Sequence, residues 1–242
     1  MRISVVIPVF NEAEILDRCL TSVAAQTRPP DEIIVVDNNC TDQSMTIAAG
    51  YQHVRIVRQP ILGIMPSTAL GFDHSRGDLI VRCDADSIVP PSWLANIELT
   101  FHDTPSLIAL TGPGSFYGCH RLTALIAEVV YMQAYFVLTH AALSHPPLFG
   151  SNFAIRREKW DEIKRSVHAN RADIHDDMEI SIHLDPRDHV IYDPRLRVGI
   201  SGRALQIRGI GRRVVRGFRT LLLHWPDQAP WRRWSQRLRT QR

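Results

Sequence analysis

The chain has 242 residues, 45% of them apolar and 22% charged, with a formal net charge of +3. This is the composition of a soluble globular protein with room for one sizeable α/β domain or two small ones. No run of about 18 uncharged apolar residues compels a membrane span. From Arg203 onward there are eleven arginines against one acid, Asp227, which leaves the first 202 residues at net −7.

Arg2 to Pro8 reads as the first strand, its apolar run too short for a signal core and lacking a small-residue cleavage site, with Pro8 where strand pairing ends. Glu12 to Gln26 carries apolar residues on one helix face. After Pro29-Pro30 comes a second strand, Glu32 to Val36, ending at Asp37. A polar loop follows, with Thr41 as N-cap of a helix to Ala49 closed by Gly50. His53 to Val57 is a third strand, Ser67 to Ser75 a short helix, and Asp78 to Cys83 a fourth strand that runs straight into Asp84-Ala85-Asp86. Strand–helix alternation with short connections implies right-handed βαβ units and a parallel sheet.

The pattern then changes. Ser92 to His102 is a helix, Leu107 to Thr111 a strand, and Gly112-Pro113-Gly114 opens a flexible segment. Leu122 to Leu143 is a long helix whose one acid is Glu128. Phe149 to Ile155 is a turn feeding a strand, Asp176-Asp177 starts a helix to Leu184, and Arg187 to Gly199 holds one or two short strands. The expected division is a catalytic domain over 1–202, with a nucleotide-binding half over 1–111 and an acceptor-side half over 112–202, and a basic amphipathic tail over 203–242. The widely spaced Cys19, Cys40, Cys83 and Cys119 argue against a zinc site and for reduced thiols in the cytoplasm. The eleven histidines form no metal-ligand cluster by spacing, and His175 is the one to watch.

Asp84 and Asp86 lie at i and i+2 just past a strand end, where both project to one side of a crevice. That is where open α/β sheets bind ligands. Two hard oxygen donors suit Mg²⁺ or Mn²⁺, commonly shared with substrate phosphates. The plainer reading is a solvated acidic turn.

Pro8-Val9-Phe10-Asn11-Glu12, Asp37 with Asp42, Asp84-Ala85-Asp86 and His175-Asp176-Asp177, in that order, resemble the family 2 glycosyltransferases, over roughly residues 1–200. The resemblance implies the GT-A fold: a Rossmann-like, mostly parallel sheet flanked by helices. It also implies an inverting transfer of sugar from a nucleoside diphosphate sugar, UDP being the commoner nucleotide, to an acceptor hydroxyl. By that resemblance Pro8, Phe10 and Glu12 line the base and ribose, and Asp37 contacts them. Asp84 and Ala85 line the donor, with Asp84 reaching ribose or a metal-bound water, and Asp86 binds the divalent cation. Gly150, Ser151 and Asn152 match the turn beneath the donor sugar. Asp177 is the base that deprotonates the acceptor and Asp176 positions it. Beside these stand plainer roles: Asp37 capping its loop, and Asp176 and Asp177 favouring a helix N-terminus.

The sequence departs from the family twice. Ser67-Thr68-Ala69-Leu70-Gly71 stands where many members carry Ala-Arg-Asn-x-Gly, and Val198 to Arg203 lacks a metal-binding His, leaving Arg203 to supply charge to the diphosphate. The competing readings are a sugar nucleotidyltransferase and a non-catalytic sugar-nucleotide-binding module. A nucleotidyltransferase wants a Gly-rich basic loop that Pro8 to Glu12 lacks. Nucleic acid is not an expected partner, since no reader motif accompanies the basic tail. In that tail Arg208, Arg212, Arg213, Arg216 and Arg219 interleave with Val214, Val215, Phe218 and Leu221 to Leu223, followed by Trp225, Trp231 and Trp234. This is the composition of a helix lying in a membrane interface, or of one packing its apolar face on the domain. With Leu122 to Leu143 as an apolar wall, it leads us to expect peripheral attachment to the cytoplasmic leaflet and a lipid-linked or envelope-glycan acceptor.

Overall fold

The computed structural model describes residues 1–205 and 207–239; the side chains at 204, 207–210 and 212, including Arg208 and Arg212 of the expected membrane face, lie outside the described residues. Strands β1 (Ile3–Val9), β2 (Glu32–Asp37), β3 (Val54–Arg58) and β4 (Leu79–Arg82) alternate with helices α1 (Leu16–Ala24), α2 (Ser44–Ala49) and α3 (Ile64–His74). Beyond β4 come α4 (Trp93–Asp103), β5 (Leu107–Thr111), β6 (Gly114–Tyr117), α5 (Arg121–Ala127) and α6 (Gln133–Leu143). Then follow β7 (Phe153–Arg156), α7 (Arg157–Ile163), α8 (Asp176–His183), β8 (His189–Tyr192), β9 (Val198–Ser201), α9 (Ile207–Leu223) and α10 (Pro230–Arg239).

The main sheet has the order β3-β2-β1-β4-β7-β5-β8. β1 to β4 are mutually parallel, β7 is antiparallel to both its neighbours, and β5 pairs β8 parallel. The α/β, mostly parallel architecture expected from the sequence is what forms. Every residue of β1 is buried, and alternate residues serve opposite faces. Val5, Ile7 and Val9 pack with Leu16 and Leu20 of α1 and Trp93 of α4. Val6 packs with Met65 and Phe72 of α3 and Trp160 of α7. Gly71 is the residue that lets α3 lie flat on the sheet, since a Cβ there would strike Val6 and Val36.

Several boundaries differ from expectation, each for a visible reason. Pairing of β1 with β2 runs past Pro8 to Val9. The carbonyls of Arg2 and Val6 face β4 while those of Ile3 and Val9 face β2. Pro8 therefore faces the β4 side, beyond the end of that ladder, where a missing N–H costs nothing. Gln43, not Thr41, is the N-cap residue of α2 and makes no side-chain cap; Asp42 before it accepts the Ser44 N–H at 3.0 Å and the Ala13 N–H at 3.0 Å. The segment after Gly112 is not loose, because β6 pairs β9 in a small second sheet. The long helix is continuous from Arg121 to Leu143 but carries a π-helical turn over Glu128–Met132. It is long and apolar enough to cross a membrane by length and composition alone, with mean hydropathy 1.5.

The basic tail packs on the domain through one face. Leu221 joins Leu143, Met178 and Ile182, and Thr220 accepts the His175 N–H at 3.1 Å. Arg233 is 1% exposed and donates to the carbonyls of Leu143, Ile182 and Leu184. The other face leaves Val214, Val215, Phe218, Leu222, Trp225 and Trp231 exposed.

Candidate active site

Because β1, β2 and β4 run parallel, their C-terminal ends bring Phe10 to Glu12, Asp37 and Asp84 to Asp86 to one edge of the sheet. The antiparallel β7 delivers the Gly150-Ser151-Asn152 turn to the same edge from its start. The acidic start of α8 closes the far side.

At the centre lies a residue the sequence reading passed over. Arg82, the last residue of β4, is 2% exposed. Its Nη2 lies 2.8 Å from Asp84 Oδ1 and 3.1 Å from Asp176 Oδ2. Burial alone would lower the guanidinium's pKa, but Asp176, Asp84 and Asp177 outweigh it and hold it above its ordinary value. Its Nε is buried and has no hydrogen-bond partner among the described residues. The available signal was a single charge at the end of the otherwise apolar Leu79-Ile80-Val81 run. A buried charge is retained where it has partners.

Asp176 is nearly as buried, at 3%, and also accepts from Thr68 Oγ1 at 2.7 Å. Thr68 stands in the segment that departs from the expected family pattern, and its hydroxyl holds Asp176. Asp177 Oδ2 accepts the Gly150 N–H at 2.9 Å and lies 3.4 Å from Tyr135 Oη, while Oδ1 accepts the Met178 N–H at 2.7 Å. Burial first, then Asp176, pushes the Asp177 carboxyl up; His175, Arg82 and the Gly150 N–H pull the other way. Burial and Asp177 push Tyr135 well up, which keeps its phenol protonated. A carboxylate so raised is a better proton acceptor than a free one. Gly150 is required by geometry: a Cβ there would meet Arg82 Nη1 and come within 3.1 Å of Asp177 Oδ2.

Asp84 spends both oxygens, Oδ1 on Arg82 and Oδ2 on the Ser151 hydroxyl. Asp86 is freer, with Arg203 Nη2 at 3.4 Å and the same nitrogen 2.6 Å from Glu12 Oε2. Burial, then the charges of Asp84 and Glu12, raise Asp86 to about 6. Five carboxylates (Glu12, Asp84, Asp86, Asp176 and Asp177) thus face two guanidiniums. Carboxylate oxygens suit a hard divalent cation, and Asp86, the less engaged of the Asp84–Asp86 pair, is the better placed direct ligand.

The structure distributes the remaining expected residues unevenly. Phe10 is 53% exposed at the rim, and Pro8 lies within β1, one residue before its end at Val9. Asp37 Oδ1 accepts the Cys40 N–H at 2.8 Å, so at least one oxygen caps the loop as the plainer reading held. The Ala85 methyl and the Asn152 amide turn inward. Asn152 is fully buried, donates to Leu196 O at 2.5 Å and accepts from Trp93 Nε1 at 2.9 Å. It staples the turn to the core and is not available to a donor sugar. His175 Nε2 lies 2.9 Å from Arg213 O, tying the start of α8 to α9, while its Nδ1 lies 4.0 Å from Asp177 Oδ1.

Known proteins are similar to this chain in sequence and in fold. The family described as "Glycosyl transferase family 2" matches residues 4–164. The undecaprenyl-phosphate 4-deoxy-4-formamido-L-arabinose transferase of Serratia proteamaculans is 38% identical over 105 residues, covering 40% of this chain and 32% of that protein. The matched segment thus spans about a third of such curated relatives. Among solved structures, the mannosyltransferase PcManGT from Pyrobaculum calidifontis, in complex with GDP-Man and Mn²⁺, superposes with a TM-score of 0.68 at 18% identity. It covers 98% of this chain and 69% of that one. S. aureus TarS 1–349, in complex with UDP-GlcNAc, does so with a TM-score of 0.66 at 13% identity, covering 84% and 59%.

Proposed function

The chain belongs to glycosyl transferase family 2, and on that premise we propose that it transfers a sugar from a nucleoside diphosphate sugar to an acceptor hydroxyl with inversion of the anomeric centre. The observation that carries this reading is the setting of Asp177. Its Oδ2 is held by the Gly150 N–H and beside the Tyr135 hydroxyl, and burial raises its affinity for a proton. Asp177 takes the acceptor hydroxyl's proton as that oxygen attacks the anomeric carbon. The bond from that carbon to the diphosphate breaks, and the nucleoside diphosphate leaves. Asp176, fixed by Arg82 and Thr68, keeps the pair in register. Glu12 and Phe10 border the base and ribose, with Asp37 below them. Asp84 and Ser151 together face the ribose and sugar. Asp86 would hold Mg²⁺ or Mn²⁺, which when bound offsets charge on the departing diphosphate. Arg203, paired with Glu12 and Asp86, is the side chain that would follow the diphosphate.

The acceptor we propose is lipid-linked, presented at the cytoplasmic face of a membrane. The inner face of the α5–α6 helix brings Tyr135 to Asp177. Its outer face exposes Leu122, Leu125, Ile126, Val129, Val130, Val137 and Leu138, each more than half. An apolar stripe of that length is more than scattered surface leucines require. The exposed Phe218, Leu222, Trp225 and Trp231 of the basic tail add to it. The Serratia relative, by its name, acts on a lipid phosphate. In this reading residues 1–202 are the catalytic domain and 203–242 a membrane-facing strap packed upon it.

The test is nucleoside diphosphate release from UDP-, GDP- and dTDP-sugars, with and without Mn²⁺, with EDTA as control. Release from one donor class, raised by metal and abolished by EDTA, is the expected outcome. Binding without release leaves a sugar-nucleotide-binding module. Pyrophosphate release from a nucleoside triphosphate and a sugar phosphate identifies a nucleotidyltransferase instead.

A further inference from the structure

Two residues past Asp177, on α8, Glu179 is fully buried. Asp176 has Arg82, but among the described residues the ion-pair partners of Glu179 are all imidazoles. His168 Nδ1 lies 2.8 Å from Oε1, His224 Nε2 lies 2.8 Å from Oε2, and His183 Nδ1 lies 3.5 Å from Oε1. A carboxylate taken wholly out of water needs a cation beside it, and an imidazole supplies one only when protonated. Spacing along the chain gave no hint of this cluster. It gathers a loop after α7, the middle of α8 and the residue just past α9.

We propose that His168, Glu179 and His224 form a second metal site, for a zinc-type ion. One ligand atom from each lies within 4.8 Å of the other two. Ligand atoms around a tetrahedral ion with bonds of about 2.0–2.1 Å stand roughly 3.3 Å apart. The two 2.8 Å contacts use different oxygens of Glu179. With one oxygen as ligand, one contact opens by about half an ångström, while the other ligand-atom pairs, none more than 4.8 Å apart, settle to that spacing. Two imidazole nitrogens and one carboxylate select zinc, cobalt or nickel, whereas the oxygen donors at Asp84 and Asp86 select magnesium or manganese. On binding, each imidazole gives the metal the lone pair of the nitrogen now facing Glu179 and carries its proton on the other ring nitrogen. For His168 that nitrogen belongs to a ring 39% exposed, which also marks the path of entry. His183 Nδ1 is already 2.9 Å from Glu179 O, so the fourth position falls to water. The ion would clip the end of α9 to the helix that carries Asp177, beside the contacts His175 makes with Thr220 and Arg213. Nothing in this assignment depends on the glycosyl-transfer reading.

The experiment uses the full chain carrying Asp86→Ala, so that the acidic site does not contribute, stripped with EDTA and dialysed. Calorimetric titration with Zn²⁺ should show one equivalent bound, and Co²⁺ should give the visible bands of a tetrahedral nitrogen–oxygen site. At zinc a hundredfold above Kd the melting temperature should rise by about 5–10 °C. Adding His168→Gln or His224→Gln should weaken zinc binding at least a hundredfold and remove the cobalt bands. His102→Gln, at an 80% exposed side chain, should change neither. His168 is partly exposed, so its variant tests the site even where His224→Gln fails to fold. Absence of stoichiometric zinc binding, or zinc affinity unchanged in a folded His168→Gln variant, overturns the proposal.

Discussion

Replacing Arg82 by Met keeps most of the side-chain volume and removes the one buried cation between Asp84 and Asp176. The two carboxylates lie 2.8 and 3.1 Å from its Nη2. Asp84 is partly solvated, with its side chain 32% exposed, and recovers some hydration. Asp176, at 5%, does not, and keeps the neutral donor Thr68 Oγ1. Stranding one buried partner of an ion pair costs about 3–5 kcal/mol. For a chain of this length that is a fall in melting temperature of roughly 10 °C. Urea denaturation followed by far-UV circular dichroism at pH 7 measures it. The origin of the loss is tested by adding Asp176→Asn, which leaves no charge to strand and should return about 2 kcal/mol. An Arg82→Met protein within about 1 kcal/mol of its parent, or an equal loss in the Asp176→Asn background, would refute this account of how the site is held.

Gly150→Ala puts a methyl against Arg82 Nη1 and near Asp177; it should cost about 1–3 kcal/mol in urea melts and at least tenfold in nucleoside diphosphate release, and parental values in both would show that the turn has room. Burial would raise Glu179, yet His224 and His168 bring it from 4.5 to about 2. Its contribution, of order 3 kcal/mol, is therefore complete above about pH 4.5 and lost as pH falls towards 2. In EDTA, the unfolding free energy of Glu179→Gln should lack that acid-side slope, and an unchanged slope would exclude the assignment. Leu125→Glu with Val129→Glu, at positions 58% exposed, should raise at least tenfold the anionic-lipid concentration needed for half-maximal co-sedimentation while sparing turnover of a soluble acceptor. Surface substitutions are preferred to truncation at Gly202, which would unseat the buried Arg233. Indifference of vesicle binding to the double variant, or no binding by the parent at low salt, removes the membrane claim alone.

Much of the first half of the chain, residues 1–111, was legible because local pattern and tertiary outcome agree there. The runs of β1, β2 and β4 are apolar on both faces, as central parallel strands must be, and their shared direction sends Glu12, Asp37 and Asp84 to one edge. What escaped depends on contacts far apart in sequence. Arg82 meets Asp176 across 94 residues of chain, and Tyr135 reaches Asp177 from a helix whose pattern marks an apolar face and nothing more. Asn152 matched a motif, but Trp93 and Leu196 draw its amide inward. Helix α7 went unread, its core residues Trp160 and Ile163 being too few to set a period. The tail's two readings proved compatible, since α9 has enough circumference to pack Thr220 and Leu221 inward and leave Phe218 and Leu222 outside.

The central claim is that Asp177 takes the acceptor's proton, and Asp177→Asn tests it most directly. The amide keeps the size of the carboxylate and can still accept the Gly150 N–H, but it cannot take a proton from the acceptor. Transfer is measured by product formation under saturating donor, and donor affinity by calorimetry on the same protein. The account predicts a loss of transfer of about 10²–10⁴-fold with donor affinity within about threefold of the parent. Transfer preserved, or donor affinity lost in parallel with transfer, would contradict it.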